Sequence, residues 1–488
     1  MSEHASKVPA TDALAAAEAS IAAKAPDVAD DSNRPIFHFR PPCCWMNDPN
    51  GTIYDDGWYH VFFQYNPHAD YSRHVHWGHT RSRDLVHWEQ LPVAIWPSNE
   101  LGEEACWSGC ASITRDGQPI AFYTSRGTDN IRPFEQWAAL GTADWLKWQK
   151  HPANPILALG RDGVPQFEPD WRDPFIFHTA GRTFLVLGAA TKGEATVALF
   201  EASDSNLSKW RYQGPIYSKP RSEMPFCECP NFFPLGDKFV LLLSPYTSVE
   251  YTVGEFDADR FTFSPDTHGI LDPGVSRLDH GGNVFDEKAN PNYYATNIAF
   301  DPDGNCILFG WVRNFRTKQG WNGCLALPRV LTLGRDGRPR QAPVSAVETL
   351  RGEQLASGDT HRIEDALQPL TGVQGDALEL QFTLTVNSAV RAGVRLRCGQ
   401  DGGDGLPIDY DGSTLRVNET SVELHGRQEL TLRIFLDRTV MEVFVDDGEL
   451  AITQVAYAPQ ENQSVWLCAE GGEAVFSNVS AWKMHSIW

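Results

Sequence analysis

A glycine followed by a run of apolar and aromatic residues recurs through the first two thirds of the chain. The runs are Gly57-WYHVFFQY, Gly117-QPIAFYTS, Gly181-RTFLVLGA, Gly236-DKFVLLLS and Gly304-NCILFGWV, with glycine-to-glycine steps of 60, 64, 55 and 68 residues. Each run has strand length, and each begins at a turn-forming glycine. A second echo lies between them, in Ser82-RDLVHW, Thr142-ADWLKW and, more loosely, Ser203-DSNLSKW. Each echo ends in a Trp suited to plug the gap between neighbouring sheets. Units of this length with several short strands apiece predict radial repetition of four-stranded sheets. The expectation is all-β: a five-bladed β-propeller over residues 34–340. An ordinary multi-sheet β protein with coincidental spacing stays open at this point.

After Leu350 the pattern changes to strict alternation, in Leu378-ELQFTLTV, Gly393-VRLRC, Leu430-TLRIFLD, Val440-MEVFVDD and Val465-WLCAE, separated by Gly/Asp turns. Alternation with polar turns predicts an antiparallel β-sandwich, here over residues 355–488. Residues 341–354, within the tract from Leu333 to Gln354, are expected as the linker. Residues 1–33 are expected as a partly ordered tail, its Thr11–Ala25 stretch at most a loose helix.

Composition narrows the classes. Lys and Arg number 41 against 63 Asp and Glu, a net charge of −22. Such a charge argues against nucleic acid and against docking on an anionic membrane. No run of 18 apolar residues is present. No basic stretch leads into an apolar one near the start, so no secretory signal is read, and ten cysteines in that setting point to the cytoplasm. The close pairs Cys43/Cys44, Cys106/Cys110 and Cys227/Cys229 lack zinc-ligand spacing, so buried free thiols and no metal are expected.

Chemistry enters through the repeat. Residues just upstream of each repeat glycine should line the central channel. Asp48 lies 9 residues before Gly57, Asp173 lies 8 before Gly181, and Glu228 lies 8 before Gly236. The matching positions of the other two units hold Ser108 and Thr296/Asn297. Three acids at one phase should converge on one funnel, with Arg172 beside them. Clustered carboxyl groups with separated pKa values suit glycosidic cleavage. Calcium is the rival use of such a set, without an Asp-x-Asp-x-Asp loop to support it.

These residues also resemble a known family. Trp45-MNDPNG, Phe62-FQYNP, His76-WGH, Ser82-RDLVHW, Trp107-SG, Arg172-DP, Glu228-CP, Gly310-W, Gly320-WNGCLALPR and Leu432-RIFLDRTVMEVFVDDG occur in the order of glycoside hydrolase family 32. The resemblance spans roughly residues 36 to 485. It implies a propeller joined to a sandwich and a cofactor-free, exo-acting, retaining hydrolase of terminal β-fructofuranosyl units. Its substrate would be sucrose or a fructan. Asp48 would be the nucleophile, Glu228 the acid/base and Asp173 the stabiliser of the fructosyl transition state. Asn47, Gln64, Trp77, Trp107, Ser108 and Arg172 would grip the fructose, with Trp311 and Trp321 near the rim.

One departure stands out. Where the family often has a Trp between the NP and HWGH motifs, this chain has His68-ADYSRHV, with Ser72 at the matching place. The leaving-group side is then expected to be open, or filled by Tyr71 or His74. A fructosyltransferase such as a levan fructotransferase is the alternative activity. A propeller arabinosidase fits less well because the three acid motifs are complete. A non-catalytic sugar-binding propeller should have lost an acid, and none is lost. Oligomeric state is not legible in the sequence.

Overall fold

The computed structural model describes residues 10–128, 132–276, 290–424 and 426–488. Five antiparallel sheets surround a channel, and their first strands neighbour one another in a ring. Those strands are Cys44–Asp55, Glu103–Ile113, Arg172–Thr179, Asn231–Leu235 and Tyr293–Phe300, which open blades I to V. The repeat glycines each turn the first strand into the second, with φ between +63° and +83°. Glycine adopts that left-handed conformation without a Cβ penalty, which is why it marks the period.

The echo tryptophans do close the gaps between sheets. Trp88, Trp148 and Trp210 open the outermost strands Trp88–Ile95, Trp148–Lys150 and Trp210–Pro220. Each meets a phenylalanine of an adjoining blade: Phe309 at 6.3 Å, Phe62 at 5.3 Å and Phe122 at 5.9 Å respectively. The ring is joined by Trp321–Asn322, which leaves blade V and pairs in parallel with Cys44 and Trp45 of blade I.

A bulge recurs in four of the first strands. Pairing with the second strand breaks between Met46 and Pro49, between Cys106 and Gly109, between Tyr294 and Asn297, and beside Asp173–Pro174. An unpaired residue re-aims its side chain out of the ladder. In blade IV the first strand begins only at Asn231, so Glu228 precedes it in open backbone. The channel phase read from the sequence is the phase of these interruptions.

Within the stretch expected as a partly ordered tail, Ala10–Lys24 is a helix and Ala25–Val28 a 3-10 turn. Leu14, Ala17 and Ile21 pack into the propeller core, and Glu18 accepts the Val93 N–H at 2.7 Å. The helix thereby covers the outer edge of blade I, an edge that would otherwise invite pairing. Residues 341–354, expected as the linker, are largely structured. Pro339–Pro343 is the outer strand of blade V, and Ser345–Leu350 is a 3-10 turn with Val347 and Leu350 buried.

From Arg351 the chain forms a ten-stranded sheet folded into a sandwich, whose core includes Leu380, Phe382, Val394, Ile408, Ile434 and Phe476. A fully buried charge cluster joins sandwich to propeller. Arg329 of blade V meets Glu442 at 2.6 Å and Asp272 at 3.1 Å. His38 bridges Asp437 at 2.8 Å and Glu442 at 2.9 Å.

Candidate active site

At one mouth of the channel lies a cavity of about 1050 Å³. Asp48 from blade I, Asp173 from blade III and Glu228 leading into blade IV all line it. Both oxygens of Asp48 accept hydrogen bonds, Oδ2 more of them than Oδ1. Its Oδ2 accepts from Ser108 Oγ at 2.5 Å and from Gln64 Nε2 at 3.2 Å, with Cys229 Sγ 3.6 Å away. Its Oδ1 takes the Asn47 amide at 3.0 Å. Asn47 is itself fixed by the Gln64 side-chain carbonyl at 2.9 Å and the Trp45 indole N–H at 2.7 Å. Burial, then the charge of Glu228, raises the Asp48 pKa, while the bonds from Ser108 and Asn47 oppose the rise.

Glu228 is held by a cation and a phenol. Arg172 Nη2 lies 2.9 Å from Oε1, and the Tyr294 hydroxyl lies 2.7 Å from Oε2. Arg172 also contacts Asp170 and Tyr246, and its guanidinium sits 4.0 Å from the Phe226 ring centroid. Asp173 accepts the Cys229 backbone N–H at 2.9 Å. Burial raises the Asp173 pKa more than Arg172, 3.7 Å away, lowers it. Burial dominates because a dry carboxylate loses more hydration than this cation returns.

Backbone strain marks the same place. Asp173, Cys229, Tyr246 and Ala295 all have φ between +48° and +69°. Left-handed non-glycine residues persist where surrounding contacts hold them, and they gather at functional sites. Among the described residues no group of three or more His, Cys, Asp or Glu is arranged to hold a metal. All ten cysteines are free and buried.

Comparison with known proteins gives this geometry a context. Residues 38–343 match the N-terminal domain of glycosyl hydrolases family 32, and residues 346–483 match that family's C-terminal domain. The chain belongs to glycoside hydrolase family 32. Among its relatives in family 32, a raffinose invertase of Escherichia coli is 31% identical, over 92% of this chain and 95% of the relative. A sucrose-6-phosphate hydrolase of Zymomonas mobilis is also 31% identical, over 92% of each chain. A Bombyx mori GH32 β-fructofuranosidase superposes with a TM-score of 0.80 and 25% identity, over 98% of this chain and 99% of that one.

The binding residues expected from the family 32 resemblance fall into two sets. Asn47, Gln64, Trp107, Arg172 and Trp311 line the cavity. Ser108 and Trp77 lie behind it: Ser108 supports Asp48, and fully buried Trp77 bonds the Trp107 carbonyl at 3.0 Å. Trp321 is also off the rim, buried against Phe315 at 5.0 Å and bonded to Asp31 at 2.7 Å. Ser72, Arg73 and His74 form part of the mouth, whereas Tyr71 is 55% exposed and stands outside it. Sequence reasoning missed Tyr246, Tyr294 and Phe134. Tyr294 was reachable, two residues before the matched Thr296. Tyr246 lies in Ser244-PYTS, which has no counterpart in the repeat.

Proposed function

We propose that this protein is an exo-acting, retaining β-fructofuranosidase that acts on sucrose or fructans. The reading is carried by the convergence of Asp48, Asp173 and Glu228, from three blades, at the base of one funnel. Asp48 Oδ1 attacks the anomeric carbon of the terminal fructosyl unit as the glycosidic C–O bond breaks. Glu228 gives its proton to the departing oxygen. The products of this half are a fructosyl ester on Asp48 and a free alcohol. Glu228, now a carboxylate, takes a proton from water, and the water oxygen displaces Asp48 to release fructose with retention. Asp173 accepts hydrogen bonds from fructose hydroxyls that strengthen as positive charge grows on the ring. Burial leaves the Asp48 carboxylate poorly hydrated, which favours attack over rest.

Two variants of this reading follow from the mouth. A sugar hydroxyl entering in place of water turns hydrolysis into fructosyl transfer, and the open side at Ser72 leaves room for one. Arg73, His74 and Arg126 also line the mouth, which favours a leaving group that carries phosphate, as in the name of the Zymomonas mobilis relative. Incubation with sucrose, sucrose 6-phosphate, inulin and levan, followed by product chromatography, tests all three. Free fructose, first formed as the β-anomer, is expected. Absence of fructose release or transfer from every substrate would remove the reading.

A further inference from the structure

Asp173 is held from behind by two neutral side chains of another blade. Its backbone N–H donates to Thr124 Oγ1 at 2.9 Å. Thr124 donates its own hydroxyl hydrogen to Gln136 Oε1 at 2.7 Å, and Gln136 Nε2 donates to the Trp171 carbonyl at 3.2 Å. Thr124 and Gln136 face each other on strands Pro119–Gly127 and Glu135–Gly141 of blade II, and both are buried. Each hydrogen in this chain has one direction. The amide nitrogen must face Trp171, so the amide oxygen faces Thr124, which leaves the threonine lone pair for Asp173.

The two ends of the chain grip the backbone on either side of Arg172. The bracketed backbone is the strained one, since Asp173 has φ +65° and precedes a proline. A conformation that costs energy at a non-glycine residue lasts only where neighbours fix it. From the far side, the Cys229 N–H of blade IV fixes the Asp173 carboxylate. Asp173 is therefore suspended between blades II and IV, and Arg172 projects from the same clamped segment towards Glu228.

We propose that Thr124 and Gln136 are positioning residues for the reaction, a neutral clamp that sets the aim of Arg172 and Asp173. Neither residue lines the cavity, so neither touches substrate. The inference rests on the role given above to Asp173. Its chemistry depends on geometry, because a hydrogen-bond acceptor displaced by about 1 Å from a developing charge forfeits roughly 100-fold in rate.

The test compares Thr124→Val, Thr124→Ser, Asp173→Asn and the Asp173→Asn/Thr124→Val double variant in the full-length enzyme. All are assayed well below their own Tm on the best substrate of the panel. Thr124→Val keeps the shape and removes the hydroxyl, so kcat is expected to fall roughly 10- to 100-fold with a smaller change in KM. Thr124→Ser restores most of the turnover. In the double variant the valine adds little to the loss caused by Asp173→Asn, because both act through one group. Gln136→Met is expected to act in the same direction and serves if Thr124→Val does not fold. Folded Thr124→Val (or Gln136→Met in its place) with full kcat, or a valine effect that multiplies undiminished onto Asp173→Asn, would overturn the clamp. Activity retained by Asp173→Asn itself would instead overturn the role of Asp173.

Discussion

Tyr294 places its hydroxyl 2.7 Å from Glu228 Oε2 and 2.6 Å from the Ser244 carbonyl, while accepting the Tyr246 N–H at 2.9 Å. A phenol has one hydrogen, so it serves either the carbonyl or the carboxylate. When Glu228 carries a proton, it donates to Tyr294 and the phenol serves Ser244. When Glu228 is ionised, the phenol turns to it. The arrangement accommodates both forms of Glu228 that the proposed acid/base role requires.

Replacing Tyr294 by Phe removes this adjustable partner. A hydrogen bond to a charged group contributes about 1.5–3 kcal/mol, which converts to roughly a 10- to 100-fold loss in kcat. Steady-state kinetics on Tyr294→Phe check this, with circular dichroism to show an unchanged fold.

Asp48→Asn and Glu228→Gln should each fold normally and lose turnover. For Glu228→Gln the loss of general acid–base catalysis is expected to be about 10²–10⁴-fold. Asp48→Asn should lose at least as much, since no covalent intermediate forms. Near wild-type rates in either variant would take that residue out of the mechanism.

The mouth at Ser72 leads to a preference. A missing Trp withholds about 100 Å² of apolar contact, or about 2.5 kcal/mol. Binding must then come from a longer substrate reaching Arg73, His74 or the Trp107 wall, where Phe134 packs edge-on at 4.9 Å. The expected result is a higher kcat/KM for a short fructan than for sucrose, moving back towards sucrose in Ser72→Trp. A wild type that strongly prefers sucrose, with no shift in the variant, would count Ser72 as surface.

The interdomain cluster sets a pH window for stability. Burial alone would lower the His38 pKa, but the bonds to Asp437 and Glu442 outweigh it and push it up from 6.5 to about 9. Its stabilisation is fully present below pH 6.5 and fades as pH rises through 9. Burial would raise Glu442, but the charge of Arg329 and the bond from His38 hold it down at about 2 against an ordinary 4.5. That contribution is present above pH 4.5 and fades as pH falls through 2. Both contributions of this cluster are in place between about pH 4.5 and 6.5, and His38→Gln should flatten the alkaline decline of Tm. A Tm profile with the same alkaline slope in both proteins would exclude His38 as its source.

Much of this was legible in the chain because the repeat is written in residues with narrow tolerances. A left-handed turn admits Gly57 and its four equivalents, and an inter-sheet gap admits Trp88, Trp148 and Trp210. Asp48, Asp173 and Glu228 were found by phase, because a bulge recurs where blades face the channel. Which side of a strand a Trp occupies was not legible. Trp77 and Trp107 look alike in sequence, yet one supports the other's backbone and the other lines the wall. The docking of the N-terminal helix on blade I was hidden by its own alanine-rich composition, whose apolar face is too slight to be read without the edge it covers. The Thr124–Gln136 clamp was invisible for a similar reason, since both residues look like ordinary strand positions.

The pairing of Trp321–Asn322 with Cys44–Trp45 has a consequence for the newborn chain. The two partners are 277 residues apart, 321 minus 44. At about 5–20 residues per second of synthesis, Cys44 is made roughly 14–55 seconds before the Trp321 that pairs with it. Through that interval the inner edge beside Asp48 has no neighbour to complete it. Asp48 is among the first of these residues to be translated, and its surroundings are among the last to close.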